Sequence, residues 1–285
     1  MNPSVSIIIP TRGRTTELIR AVHSCLNQDT NEEFEILIIN DNEIGDAFDQ
    51  KVLVYFSRCR DARLSVIRNL RGRGGSGARN TGVFAARGQW VAFLDDDDEW
   101  LPTKLSQQMR HIVSSGESVN CLDTGFYRIS PDRAPVEVRP AMSGSIFHKL
   151  LFKESSRAPK LSTFICRKEL LIGIGGFDES LLSRQDLDLY LRLAQKTSFY
   201  SINDCLVFGY TNSAARISKN PTKKALGGIA FERKWRRFLK QDPRRHSKLL
   251  FHLSYKSAQA LKPHLTMKLM ARALGTFLKS LNPSR

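Results

Sequence analysis

The chain has 285 residues, of which 41% are hydrophobic and 25% are charged. This balance is typical of a globular protein with a full core and excludes a disordered or fibrous chain. No uncharged apolar segment approaches the roughly 20 residues of a membrane-spanning helix, which argues against a chain that crosses a bilayer. The formal net charge of +16 falls entirely on residues 216–285, where 18 Lys and Arg residues accompany only Glu232 and Asp242. We therefore predict a distinct basic tail that meets an anionic surface.

The five cysteines are widely spaced and form no CxxC or paired Cys/His pattern. This spacing argues against a structural zinc site and against a disulfide framework. The N-terminus also lacks the basic segment and long apolar stretch of a signal peptide. We therefore expect reduced thiols and a cytoplasmic chain, with the basic tail lying on the inner face of the cytoplasmic membrane.

The first hundred residues alternate between short apolar runs and amphipathic or glycine-led segments. Such alternation is typical of strands joined by right-handed helical crossovers in a mostly parallel sheet. Strands are expected at Val5–Ile9, Phe34–Ile39, Leu64–Ile67 and Gln89–Leu94, and helices at Thr15–Leu26 and Ala78–Ala86.

Polar side chains follow three of these predicted strands. Thr11 follows the first strand, Asp41 the second, and the run Asp95–Asp98 the fourth. In sheets of this kind, ligands bind beyond the carboxyl ends of the strands, where these side chains would all emerge. Adjacent carboxylates repel one another, so a run of four is tolerated where solvent or a hard metal ion neutralises it. A solvated acidic turn is the alternative for the run alone, but its coincidence with two other polar strand ends favours a site.

Four segments together resemble the successive motifs of family 2 glycosyltransferases. The resemblance covers most of residues 4–215 in the family's order and approximate spacing, and it implies the GT-A fold: an α/β architecture with a Rossmann-like, mostly parallel sheet flanked by helices. The matching segments are SIIIPTRGR (Ser6–Arg14), IINDN (Ile38–Asn42), GARNTGVFAARGQWVAFLDDDDEW (Gly77–Trp100) and GGFDESLLSRQDLDLYLRL (Gly175–Leu193).

The resemblance also implies a domain organisation. Residues 1–215 would form the catalytic domain, with residues 1–100 as the nucleotide-sugar-binding half and residues 101–215 as the acceptor-binding half. Residues 216–285 would form a basic helical extension. Residues 124–162 carry few periodic stretches and are expected to be connecting elements on the acceptor side, followed by a strand near Thr163–Cys166.

The resemblance assigns nucleotide contacts to three positions. Thr11 matches a position that touches the nucleotide, and Asp41 matches the acid that accepts the N3–H of a uracil or thymine ring. Arg79 aligns with a basic residue that helps to hold the nucleotide, although a plain surface position on the helix is its alternative. The family usually has a second acid next to Asp41, where this chain has Asn40.

The aspartate run matches the family's DxD motif. Asp95 and Asp97 are the aligned acids, so both are predicted metal ligands, with Asp97 binding Mg²⁺ or Mn²⁺ at the donor diphosphate. Asp95 or Asp96 would contact the ribose or a water on the metal. Because all four positions are acidic, the register stays ambiguous by one residue.

Asp186 matches the position of the catalytic base in the resemblance. It would accept the proton of an acceptor hydroxyl that attacks the anomeric carbon opposite the leaving diphosphate, which inverts that centre. Gln185 replaces the customary Glu beside the base. Asp188 is a competitor, but two residues along a helix it points elsewhere, so we expect it to be a helix-surface or capping acid. The turn Gly175–Ser180 is expected to be structural.

Residues 210–220 are open to two interpretations. They resemble the loop that closes over the donor in relatives, in which case Arg216 or Ser218 would reach the diphosphate, or they form a plain linker to the tail.

The tail itself shows two apolar stripes. They either lie on an anionic bilayer or pack on the catalytic domain. The segment Phe231–Trp235 has Phe where the QxxRW motif of processive synthases has Gln, so processive synthesis is not expected. The first stripe comprises Phe231, Trp235, Phe238 and Leu239, and the second comprises Leu265, Leu269, Leu274, Phe277 and Leu278.

These observations predict an inverting, metal-assisted glycosyltransferase of cell-surface polysaccharide synthesis. It would move a sugar from a UDP-sugar, or less favourably a dTDP-sugar, to a hydroxyl of a glycan or lipid-linked acceptor. A non-catalytic nucleotide-sugar-binding homologue is the alternative that Asn40 and Gln185 keep open. A nucleic-acid-binding protein that uses the basic tail is a weaker alternative, because it leaves the strand-end acids unexplained.

Overall fold

A computed structural model describes residues 3–115, 118–140, 143–153, 158–211 and 220–281. Contacts divide the chain into two units. The first comprises residues 1–147, 156–177 and 189–213, and the second comprises residues 148–155, 178–188 and 214–285. The functional division into residues 1–215 and 216–285 stays a prediction.

One half of the sheet in the first unit is parallel. Its central strand β1 pairs on one side with β2 and on the other with β4, while β3 extends the sheet beyond β2. Every residue of β2 and β4 is buried, as expected for parallel strands covered by helices on both faces. The four strands are β1 (Val5–Thr11), β2 (Phe34–Asn40), β3 (Leu64–Arg68) and β4 (Trp90–Phe93).

The other half of the sheet is mixed. Strand β8 pairs antiparallel with β4 and β6, β9 runs parallel to β6, and β5 and β7 pair antiparallel with β9 and β6. The β6–β7 hairpin lies in the segment that we expected to hold only connecting elements. Polar residues and Pro131 obscured its strand pattern. The strands are β5 (Asp98–Trp100), β6 (Cys121–Ser130), β7 (Arg133–Val138), β8 (Ile165–Arg167) and β9 (Phe199–Tyr210).

Helices cover this sheet, and three of them, α2, α4 and α5, were not predicted from the sequence. Helix α1 has the predicted bounds, while α2 lies in a segment for which we predicted no element. It begins where the Asp46 carboxylate accepts the Asp49 backbone N–H, a standard N-cap interaction. The helices are α1 (Thr15–Leu26), α2 (Ala47–Ser57), α3 (Gly75–Ala85), α4 (Lys104–Ser114) and α5 (Lys168–Gly173).

The second unit is mainly helical. Helix α6 (Gln185–Ala194) runs across the division, and only its first turn belongs to this unit. Asn220 caps α7 (Pro221–Leu239) and Asp242 caps α8 (Pro243–Gln259), each with proline in the first turn, where its missing N–H costs no hydrogen bond. Helix α9 (Pro263–Leu281) follows.

The structure separates the residues of the second predicted apolar stripe. Leu269 and the partly buried Leu265 join a small core that α8 and α9 share. Leu274, Phe277 and Leu278 instead remain exposed on the outer face of α9. No helix among the described residues is long and apolar enough to cross a membrane.

Candidate active site

The aspartate run lies in the turn between β4 and β5, at the carboxyl end of the parallel half-sheet. The Leu94 N–H donates to the Ile8 carbonyl, and the Asp98 N–H donates to the Asp95 carbonyl, 3.0 Å in each case. These bonds tie the start of the turn to β1 and close it on itself. Asp96, Asp97 and Asp98 are buried, so their charges need compensation from neighbouring groups.

Arg14 supplies part of this compensation. Its Nη1 lies 2.7 Å from Asp96 Oδ1 and 3.1 Å from Asp97 Oδ2. The Thr11 hydroxyl donates to the other Asp96 oxygen at 2.9 Å, which confirms that the ends of β1 and β4 meet. We did not predict a role for Arg14 from the sequence. The signal was its place within the Ser6–Arg14 motif, three residues after Thr11.

Arg79 and Lys160 compensate the other two carboxylates. Arg79 Nη2 lies 2.7 Å from Asp95 Oδ1, and Lys160 Nζ lies 2.7 Å from Asp98 Oδ2. Ser162 donates its hydroxyl to Asp98 and accepts the Asp95 N–H at 3.2 Å. Arg79 therefore faces the site, and the alternative of a plain surface position does not apply. Lys160 and Ser162 come from a segment that carried no recognisable motif.

Burial and ion pairing act in opposite directions on these acids. Burial raises the pKa of Asp96 to about 6 although Arg14 and Thr11 oppose it. Burial also raises the pKa of Asp98 to about 6 against the pull of Lys160. For Asp95, burial raises the pKa, but Arg79 and Lys160 together outweigh it, so the net shift is downward. The run thus contains one carboxylate, Asp95, whose pKa is lowered by its ion pairs, and two, Asp96 and Asp98, whose pKa is raised by burial.

The geometry of the run fits a divalent cation. Asp95, Asp97 and Asp98 each offer an oxygen, and the three oxygens lie within 4.8 Å of one another. Asp98 Oδ1 is buried and has no hydrogen-bond partner among the described residues, so an acceptor is available at the cluster. Carboxylate oxygens are the ligands that Mg²⁺ and Mn²⁺ prefer. Both predicted ligands are in this cluster, and Asp98 joins them, whereas Asp96 faces Thr11 and Arg14.

Asp41 lies at the end of β2 and is held in a fixed orientation. Asn69 Nδ2 donates to its Oδ1 at 2.6 Å, the Gly74 N–H donates to its Oδ2 at 3.0 Å, and its own N–H donates to the Thr11 carbonyl. A carboxylate held by two donors keeps further lone pairs for a ligand.

The side chain of the neighbouring Asn40 forms hydrogen bonds within the protein. Its side-chain N–H donates to Asp49 at 2.8 Å, and its oxygen accepts two N–H groups of Asn42. Arg68 completes the group with an ion pair to Asp49 at 2.7 Å. These contacts connect the end of β2 to the first turn of α2.

Asn80 connects two of the matching motifs. Its side chain donates to the Phe177 carbonyl at 2.9 Å and accepts the Phe177 N–H at 2.7 Å. The GARN segment of α3 is thereby joined to the GGF segment, and the Arg79 guanidinium lies 5.7 Å from the Phe177 ring centroid. Arg79 owes its position to this packing as well as to Asp95.

Asp186 is in the first turn of α6, within the second unit, and is partly exposed. Gln185 donates its side-chain N–H to the Leu181 carbonyl at 2.7 Å, so its amide is bonded to the preceding turn. Arg184, just before the helix, has a φ of 62°, and its carbonyl accepts the Asp188 N–H at 3.0 Å.

Our expectation for Asp188 was wrong, because this residue is fully buried rather than on the helix surface. Its carboxylate accepts the Trp235 indole N–H at 2.9 Å and pairs with Lys234 Nζ at 2.8 Å. Two residues along a helix point about 200° away, which places Asp188 against α7. Asp188 therefore joins α6 to α7 within the second unit. Arg216 and Ser218, the proposed diphosphate contacts, lie outside the described residues.

Comparison with known proteins identifies the class of this chain. Residues 6–174 match the model of glycosyl transferase family 2. The chain therefore belongs to this family and is a glycosyltransferase.

Two relatives and one solved structure illustrate the relationship. A glycosyltransferase of Haemophilus influenzae is 28% identical over 79% of this chain and 75% of its own length. The Escherichia coli enzyme WfgD, named as a UDP-Glc:α-D-GlcNAc-diphosphoundecaprenol β-1,3-glucosyltransferase, is 28% identical over 77% of this chain and 81% of its own. The mannosyltransferase PcManGT from Pyrobaculum calidifontis, solved with GDP-Man and Mn²⁺, superposes with a TM-score of 0.60 at 17% identity, covering 100% of this chain and 89% of that one. The last comparison confirms the GT-A fold.

Proposed function

We propose that the chain transfers a sugar from a UDP-sugar to a hydroxyl of a glycan or lipid-linked acceptor, with inversion at the anomeric carbon. The observation that carries the proposal is the cluster Asp95, Asp97 and Asp98 at the end of β4, with Asp41 at the end of β2. Nucleotide sugars carry a base and a diphosphate, and these two groups of acids match the two ends of such a ligand.

We assign recognition of the donor's nucleobase to Asp41. Its carboxylate, held by Asn69 and Gly74, would accept the N3–H of uracil, a donor that thymine shares. Thr11 and Asp96 would contact the nucleotide, with Asp96 or Asp95 at the ribose. Arg79 would hold the nucleotide by its guanidinium, which suits a phosphate edge or a base carbonyl.

Asp95 and Asp97 are the proposed ligands of Mn²⁺ or Mg²⁺, and Asp98 adds a third oxygen to the set. A divalent cation bound there would stabilise, as a Lewis acid, the negative charge that develops on the departing diphosphate. Arg14 and Lys160 balance the remaining carboxylate charge and hold the side chains in place.

Asp186 is the proposed general base. It would accept the proton of the acceptor hydroxyl as that oxygen bonds to the anomeric carbon and the nucleoside diphosphate leaves. The partial exposure of Asp186 is compatible with access by an acceptor. Asp188 does not compete for this role, because Lys234 and Trp235 occupy its carboxylate.

The names of relatives support the substrate classes. WfgD is named for transfer from UDP-Glc to a diphosphoundecaprenol-linked sugar, and AmsB of Erwinia amylovora is named for amylovoran biosynthesis. We infer a role in cell-surface polysaccharide synthesis. The exposed stripe on α9 and the basic charge of the tail also support attachment to an anionic, cytoplasmic membrane face.

A screen of sugar nucleotides for metal-dependent hydrolysis tests the donor. UDP with Mn²⁺ should raise the melting temperature, because a ligand that binds only the folded state stabilises it. If GDP raises the melting temperature and UDP does not, the assignment of uracil as the nucleobase of the donor is contradicted.

The variant Asp186→Asn tests whether Asp186 is the general base. The variant should lose transfer by a factor of about 10² to 10⁴ and keep UDP binding, since the amide cannot accept the proton. Asp204→Asn is a matched control, because Asp204 is an exposed acid on β9 outside both groups of site residues. Unchanged transfer in Asp186→Asn would exclude this residue as the base.

A further inference from the structure

The turn before α6 places a cation in an unusual backbone conformation. Arg184 has a φ of 62°, in the left-handed region that residues with a side chain rarely adopt. Such conformations persist where the surrounding structure enforces them, and they occur often at ligand sites. Arg184 lies two residues before Asp186 in the same turn.

The Arg184 side chain lies against α7. Its guanidinium carbon lies 5.4 Å from the centroid of the Phe231 ring. Burial lowers the pKa of Arg184 below the ordinary arginine value. Among the described residues, no carboxylate pairs with this guanidinium, so no described acid balances its partly desolvated charge.

Two adjacent glycines in α7 allow this close packing. A side chain at Gly227 would overlap the backbone N–H of Ser183, and one at Gly228 would overlap Leu253 and lie 3.8 Å from Arg184 Nε. Glycine is unfavourable inside a helix, so paired glycines indicate that close approach is required. The helix α7 thus packs directly on the turn that carries Arg184.

Three more basic side chains lie near Arg184. Lys224 lies one turn before Gly228 on α7, His252 precedes Leu253 on α8, and Lys256 follows one turn later. The packing of Gly228 against both Leu253 and Arg184 brings this part of α7 and α8 to the turn. Burial lowers the pKa of His252, and the charges of Arg184, Lys256 and Lys224 lower it further. We call Arg184, Lys224, His252 and Lys256 the basic cluster.

The basic cluster has no acidic partner among the described residues of the second unit. The ion pairs that acids of this unit form there go to other bases. The matched pairs are Asp188 and Asp178 with Lys234, Glu232 with Arg236 and Arg272, and Asp242 with Arg245. Like charges held together without a counter-charge indicate an anionic ligand.

We propose that the basic cluster binds a phosphate or diphosphate group of the acceptor. This inference rests on the proposed function, because Asp186 acts there as the base and must contact the acceptor hydroxyl. Arg184 and Asp186 are two residues apart at the start of α6, which is why we assign the anion to the acceptor. A guanidinium can donate two parallel hydrogen bonds to a phosphate, and the lysines add charge without demanding one geometry, while a neutral His252 can donate an N–H. The donor diphosphate already has a proposed site, at the aspartates of the first unit.

A direct titration tests the anion site without any assumption about catalysis. Inorganic pyrophosphate is added to the full chain in EDTA, so that no divalent cation can hold it at the aspartates, and binding is measured by calorimetry. Arg184→Gln and Lys224→Gln should each weaken binding about tenfold. Arg244→Gln and Lys248→Gln, at exposed positions of α8 outside the cluster, should leave it unchanged. If Arg184→Gln does not fold, Lys224→Gln alone carries the test. Wild-type affinity in the cluster variants would overturn the site.

Steady-state kinetics with a diphosphate-linked acceptor tests the assignment to that substrate. Lys224→Gln and Arg184→Gln should raise the acceptor KM about tenfold and leave the donor KM unchanged. The penalty should disappear with an acceptor that has the same sugar but no phosphate. A rise in donor KM instead would assign the cluster to the nucleotide and overturn the proposal. Pyrophosphate binding at the cluster in a chain without transferase activity would contradict the proposed function and leave the anion site standing.

Discussion

The buried aspartates at the end of β4 depend on cations from three different parts of the chain. Arg14 follows β1, Arg79 lies in α3, and Lys160 lies in the segment before β8. A lone buried carboxylate would be unfavourable by several kcal/mol, so these partners are needed before any ligand arrives. The pattern of polar strand ends made Thr11, Asp41 and the aspartate run visible in the sequence. Nothing near Lys160 in the sequence pointed to Asp98.

Lys104 is a buried charge of another kind. It is fully buried at the start of α4, donates to Gln108 at 2.7 Å, and lies 3.7 Å from the centroid of the Trp100 ring. Burial lowers its pKa to about 7. In the unfolded chain the amine keeps its proton to about pH 10.5, so between pH 7 and 9 the unfolded state binds more protons. Stability should therefore rise with pH in this interval.

We expect Lys104→Met to remove this dependence. The free energy of unfolding of the wild type should gain up to about 1.4 kcal/mol per pH unit relative to the variant between pH 7 and 9. Urea unfolding at pH 7, 8 and 9 measures it, with the exposed Lys248→Met as control. Parallel curves for wild type and Lys104→Met would show that Lys104 stays charged when folded.

The elements around Asp41 are held together by close backbone contacts. A Cβ at Gly77, in the first turn of α3, would overlap the Gly72 carbonyl oxygen. The same turn presents the Gly74 N–H to Asp41 at 3.0 Å. The glycine-rich segment before α3 therefore sets the position of Asp41 as well as the start of the helix.

Gly77→Ala should be destabilising by about 1–3 kcal/mol, because the added methyl group meets backbone that cannot move alone. It should also weaken UDP binding through the displaced Gly74. Chemical denaturation and calorimetry measure the two effects. Gly173→Ala in α5 is the matched control, since its Cβ meets nothing within 4 Å. Equal stability of the two variants would contradict the overlap at Gly77.

The whole molecule combines residues 1–215, whose charges balance, with residues 216–285, which carry the entire formal charge of +16. The sequence left open whether the apolar stripes of the tail pack inward or meet a membrane. Phe231, Trp235 and Leu239 are buried, whereas Leu274, Phe277 and Leu278 are exposed. The first stripe is thus mainly buried and the second is divided between a core and an exposed face, and we propose that this exposed face of α9 meets a bilayer.

Leu274→Asp and Leu278→Asp should weaken binding to vesicles that contain phosphatidylglycerol by about fivefold or more, because each adds a repulsive charge and removes buried apolar area. The melting temperature should change little, as both side chains are exposed. Val136→Asp, at an exposed apolar position on β7, is the control. Vesicle flotation measures binding, and wild-type retention of both α9 variants would exclude this face. These substitutions test membrane binding more specifically than truncation near residue 222 would. Truncation would also remove Lys234 and Trp235, the partners of the buried Asp188.

The sequence by itself determined the parallel half-sheet and the family. Continuous apolar runs form buried strands wherever helices cover both faces, and the motifs follow these strands at fixed distances, so local pattern was sufficient for both. It also predicted that Asp41 and the aspartate run lie at one edge of the sheet, because the carboxyl ends of parallel strands meet there.

Only the tertiary structure decided which charges meet. Asp188 was expected at the helix surface, but α7, which is distant in the sequence, covers it with Lys234 and Trp235. The basic cluster likewise joins the turn before α6 to two helices that follow dozens of residues later. Ion pairs between residues that are far apart in the sequence depend on how the helices pack. The sequence around each residue therefore does not predict them.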